Sequence, residues 1–129
     1  MKQIIVGTYE LGFDKARLIL RSGTGGHGDT LPTQSDISEI DVGADQEQWW
    51  KVLRSLLHET YEMAALKCMC HYSPNNSTGD DRSVCLIVMD HAQFSEINGR
   101  VADYVSRCLT DLREAWEKWQ ANPEEITTA

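Results

Sequence analysis

Asp45-Gln46-Glu47-Gln48-Trp49-Trp50-Lys51-Val52-Leu53-Arg54-Ser55-Leu56-Leu57-His58-Glu59-Thr60-Tyr61-Glu62-Met63-Ala64-Ala65-Leu66-Lys67-Cys68-Met69 is the stretch on which the fold turns. At ~100° per residue, Trp49, Val52, Leu53, Leu56, Leu57, Tyr61, Met63, Ala64 and Cys68 fall on one broad arc. That pattern predicts a helix from Gln46 to about Met69 with a core face. Asp45 followed by Gln48 has capping-box spacing and sets the expected start.

Downstream, His71–Arg82 reads as a polar loop built around Ser73-Pro74-Asn75-Asn76 and Gly79-Asp80-Asp81. The apolar run Val84-Cys85-Leu86-Ile87-Val88-Met89 predicts a buried strand. Asp90 then caps a second long helix, with Gln93 at the third position. Phe94, Ile97, Val101, Tyr104, Val105, Cys108, Leu109, Leu112, Trp116 and Trp119 form its stripe, which ends near Gln120. Upstream, Gln3–Leu11 and Ala16–Arg21 read as strands joined by Gly12-Phe13-Asp14-Lys15. Ser22–Asp29 reads as a flexible Gly-rich loop without the Lys-Ser/Thr ending of a phosphate-binding loop. Ile37–Val42 alternates with period two, as a half-exposed strand does. The expectation is an α+β chain: a small N-terminal antiparallel sheet, extended by the segment near 84–89, packed with two long helices. Residues 1–121 form one domain in this reading, and 122–129 a flexible C-terminal tail.

Composition narrows the function. The 129 residues suffice for one core without disulfides. No apolar run reaches the ~18 residues of a membrane span. The opening Met1-Lys2-Gln3-Ile4-Ile5-Val6-Gly7 is too short an apolar region for an export signal, so a cytoplasmic protein with reduced cysteines is expected. A net charge of −8 argues against nucleic acid as a partner, because phosphate binding concentrates Lys and Arg. The same charge, with four tryptophans, also suits an acidic interaction protein that docks on an unknown protein or peptide partner.

The chemistry is densest at Leu56-Leu57-His58-Glu59-Thr60-Tyr61-Glu62. Residues four apart share a helix face, so His58 and Glu62 converge as the paired histidines of a His-Glu-x-x-His zinc site do. Glu59 projects beside them, where a general base for water activation belongs. His91, at the start of the second helix, is the third candidate ligand. Asp90 and Glu96 are candidates to orient it. An ordinary solvated helix face also accounts for His58, Glu59 and Glu62. Cys68-Met69-Cys70-His71 reads as packing, since Cys68 and Cys70 point different ways at a helix end. His27 reads as a solvated loop residue.

From about Ile37 to Val105 the chain resembles a group of small phage and prophage proteins with a zincin-like, minimal metallopeptidase-like core. The matching pieces are Ile37-Ser38-Glu39-Ile40-Asp41, Leu56-Leu57-His58-Glu59-Thr60-Tyr61-Glu62-Met63-Ala64, and Asp90-His91-Ala92-Gln93-Phe94-Ser95-Glu96-Ile97. The resemblance implies zinc held by His58, Glu62 and His91, with Glu59 as base, in a protein of the host-cell cytoplasm. Glu62 stands where active zinc peptidases usually carry a second histidine. The expected function is that of a zinc-binding metallopeptidase-like protein; the alternative is a non-catalytic acidic phage protein that inhibits a host or defence complex.

Overall fold

The computed structural model describes residues 3–29, 37–68, 71–72 and 86–121. Strands β1 (Gln3–Leu11) and β2 (Asp14–Arg21) form an antiparallel hairpin. Its turn is Gly12-Phe13, and Gly12 has φ +72°, a left-handed conformation that side chains other than glycine's resist. Strands β3 (Gly26–Asp29) and β4 (Ser38–Gly43) complete a four-stranded sheet of order β1-β2-β4-β3. Two pairings are antiparallel, whereas β2 and β4 run parallel. The sheet is therefore mixed rather than wholly antiparallel. The cause is the route of the chain, which passes through the outer strand β3 before β4 returns beside β2.

The α+β class holds, with two differences of detail in the strands. Residues 26–29, expected within a flexible loop, are an edge strand. Their glycines serve close packing: a Cβ on Gly26 would lie 2.8 Å from Glu59 Cγ. Gly43 meets the same run, where a Cβ would sit 2.5 Å from the Gly23 carbonyl oxygen. Among the described residues of the segment near 84–89, Leu86–Ile87 forms β6, which pairs with β5 (His71–Tyr72) in a separate two-stranded ribbon rather than with the main sheet. Ile87 and Val88 are 41% and 60% exposed, where the apolar run predicts burial. The rest of the polar loop and the tail 122–129 lie outside the described residues.

Helix α1 spans Trp49–Lys67 and helix α2 His91–Ala121. Asp90 and Gln93 cap α2 reciprocally: Gln93 N–H donates to Asp90 Oδ1 at 2.8 Å, and Asp90 N–H to Gln93 Oε1 at 3.0 Å. Helix α1 starts later than expected, after Gln48, and without a side-chain cap. Asp45 is used elsewhere, accepting from Gly23 N–H at 2.7 Å and from Trp119 Nε1 at 3.1 Å. Tertiary bonds have outcompeted the local capping pattern.

The helices run antiparallel across one face of the sheet. Trp49 near the start of α1 packs on Trp116 near the end of α2, and Tyr61 Oη donates to Asn98 Oδ1 at 2.6 Å. Leu18, Leu20, Ile40 and Val42 from the central strands meet Val52, Leu56, Tyr104, Cys108, Leu112, Trp116 and Trp119 from the helices in the main core. Trp116 and Trp119 are thus core residues, and their indole N–H groups are satisfied by Gln46 O and Asp45 Oδ1. On the opposite face Ile19 is also buried, flanked by the Arg17–Glu39 and Arg21–Asp41 ion pairs. Among the described residues no helix is long and apolar enough to cross a membrane.

Candidate metal centre

The side of α1 turned toward β3 carries the chemistry. Burial of Val52, Leu56, Met63 and Ala64 fixes the rotation of the helix against the sheet. That rotation leaves His58 in solvent, Glu62 at the rim, and Glu59 tucked beneath Gly26. The side chains are 63%, 37% and 9% exposed respectively. Thr60 is fully buried and donates back to Leu56 O at 2.6 Å, which anchors the turn between Glu59 and Glu62.

His58 Nε2 lies 3.2 Å from Glu62 Oε1 and 3.8 Å from Glu59 Oε1. One ligand atom from each of the three residues falls within 4.8 Å of the others. Tetrahedral zinc with bonds of ~2.0–2.1 Å has ligand–ligand edges of about 3.3 Å. The separations of 3.2 and 3.8 Å bracket that edge, so one imidazole and two carboxylates stand at a spacing a divalent ion can bridge. The donor set suits borderline and harder ions, with nitrogen and oxygen but no thiolate. Two carboxylates also offset the charge of a divalent ion, which makes such a centre less electrophilic than one held by two histidines.

His91 is not brought to this group. It opens α2, exposed, with its ring 6.4 Å from that of Phe94. From the Tyr61–Asn98 bond, His58 and His91 lie in opposite directions along antiparallel helices. At ~1.5 Å per residue they are roughly 15 Å apart along the axis. The residues proposed to orient His91 have other partners as well. Glu96 pairs with Arg100 at 3.0 Å, and Asp90 caps the helix. The side chain of His27 lies outside the described residues. Burial pushes the Cys108 thiol up to about 12.

Two features passed unnoticed in the sequence. A cleft of about 270 Å³ beside the triad is lined by Thr24, Gly25, Gly26, Arg54, Ser55, His58 and Glu59. Its far wall is the Gly-rich run that composition suggested was a loop. Arg54 stands one helical turn before His58, a relation that four-residue spacing could have revealed.

No protein-family model, curated protein or solved structure matches this chain. What the chain does carry is a His-Glu-x-x-Glu triad on α1 within metal-binding distance.

Proposed function

We propose that the protein is a zinc-binding, metallopeptidase-like protein whose centre is built on His58, Glu59 and Glu62. The observation that carries this reading is the convergence of the three donor atoms on one side of α1. Bound there, zinc supplies Lewis acidity toward a carbonyl and lowers the pKa of water at the site. The residues of the chain do the rest. His58 and Glu62 hold the ion from the exposed side. Glu59, most enclosed of the three, accepts a proton from water at its carboxylate oxygen and later returns it to the leaving amine. Among the described residues β3 pairs with β4 alone, leaving its outer edge beside the cleft. An extended peptide added to that edge would pass the triad, with backbone hydrogen bonds holding it.

The test is metal content and affinity of the full chain. Wild-type protein dialysed against a weak chelator should retain stoichiometric zinc, His58→Ala should lose it, and Glu59→Gln should keep it more weakly while abolishing peptide hydrolysis. His91→Ala should bind zinc as the wild type does. Absence of zinc binding in the wild type would overturn the reading. Loss of zinc in His91→Ala alone would relocate the centre.

A further inference from the structure

Arg54 stands apart from the other arginines of the described residues. Arg17, Arg21, Arg100, Arg107 and Arg113 each lie within ion-pair distance of a carboxylate. Arg54 has no such partner there, although acids outnumber bases in the chain by 20 to 12. Its guanidinium instead rests over the Trp50 ring, Cζ 5.1 Å from the centroid. Trp50 is itself tied down, Nε1 donating to Gln48 Oε1 at 2.9 Å. A guanidinium held on an aromatic face keeps its in-plane N–H fork free to bind, and has already lost part of its rotamer freedom.

The position of this fork matters more than its freedom. Arg54 and Thr24 line both the cleft that holds His58 and Glu59 and a second, polar cleft toward the start of α1. Arg54 is therefore at the junction, one turn of helix from the metal-binding imidazole. The second cleft also contains Asp45, Glu47 and Lys51. Asp45 is occupied by Gly23 and Trp119, as described above, and Lys51 also lies over the Trp50 ring, Nζ 5.7 Å from the centroid. The net charge of −8 opposes an anion at long range, but screening confines that effect to about 8 Å at physiological ionic strength. At contact, a bidentate guanidinium–carboxylate pair is short, directional and strong.

We propose that Arg54 recognises a carboxylate on the ligand of the His58–Glu59–Glu62 centre, so that the ligand is a peptide carrying either an acidic side chain or a free C-terminus near the bond held at the triad. This deepens the metallopeptidase-like reading and rests on it. Trp50 is then a positioning residue, acting through Arg54.

The experiment follows the Trp50 indole and the backbone N–H resonances of the labelled full chain, with and without zinc, and in the wild type the Arg54 side-chain N–H as well. The probes are three blocked tripeptides: one ending in glutamate amide, one in glutamine amide, and one in alanine with a free carboxylate. The glutamate or the free-acid peptide should bind about tenfold or more tightly than the glutamine peptide, the scale of one charge-assisted pair. Whichever acidic peptide wins identifies the source of the carboxylate. Arg54→Gln should erase the preference and leave zinc affinity unchanged, while Arg54→Lys should restore part of it. Zinc binding without a carboxylate preference, or a preference that survives Arg54→Gln, would overturn the proposal and spare the metal centre. A carboxylate preference without zinc binding would remove the metal centre and leave the recognition by Arg54. Failure of every peptide to bind would overturn the proposal.

Discussion

The two ends of the helical pair are held in different ways. Where the start of α1 meets the end of α2, large side chains fill the space over the sheet, and each buried polar aromatic has a partner. Trp116 donates to Gln46 O at 2.9 Å, Trp119 to Asp45 at 3.1 Å, and Tyr104 to Ala16 O at 3.1 Å. At the other end Ala64, Ala65, Ile97 and Val101 make a small separate cluster. Around it Leu66, Val88 and Phe94 stay 40%, 60% and 52% exposed. One end is anchored by shape and hydrogen bonds together, the other by a few methyl groups. What separates them is side-chain size and hydrogen bonding: indoles and a phenol with partners at one end, alanines and short aliphatic groups at the other.

That contrast can be broken experimentally. Trp119→Ala should cost about 3–5 kcal/mol, since it empties a large buried volume. Ile97→Ala, in the small cluster, should cost about 2 kcal/mol, at the low end for its type, because a thinly packed site collapses easily. Urea unfolding midpoints give both values, and equal costs would mean the two ends are packed alike. Asp90→Ala should cost about 1 kcal/mol through loss of the reciprocal cap. Hydrogen exchange should then speed up in the first turn of α2 and remain unchanged around Trp116.

The smallest effect is one of pH, and it belongs to the anchored end. Burial raises the Cys108 thiol to about 12 and raises Tyr104 further still; the Asp111 hydrogen bond adds to burial in raising Tyr9. Each folded group holds its proton more tightly than in the unfolded chain. The stability they contribute is therefore complete below the unfolded values and falls as pH rises toward the folded ones. The decline starts at about pH 8.5 with Cys108 and should reach about 1 kcal/mol at about pH 9.5. Cys108→Ala should flatten this first part of the curve. A melting temperature that climbed from about pH 8 to about pH 10 would contradict the buried thiol.

The helices were legible in the sequence because their signals are dense and local. The stripe from Ile97 to Trp119 corresponds closely to the buried face, and Asp90 with Gln93 forms the cap its spacing suggests. His58, Glu59 and Glu62 were legible for the same reason, since one helix sets all three. What could not be read depends on residues distant in the chain. Gly26 looks like a loop glycine until Glu59 is placed beneath it. Asp45 looks like a cap until Trp119, from the far end of α2, reaches it. His91 looked like a ligand because a sequence shows the distance between helices only along the chain, whereas the antiparallel packing sets it through space.

The parallel pairing of β2 with β4 carries a further consequence, for the order of assembly. The β1–β2 hairpin can form from neighbours, but β4 must find β2 across the intervening β3 segment, a non-local step and a slow kind. Strand β3 can pair with its neighbour β4, but Gly26 comes over Glu59 only when that pair packs against α1. The cleft beside the triad is thus a product of tertiary packing, absent from unpacked chains. Anything that binds there selects finished chains and, by mass action, protects the whole sheet against unfolding.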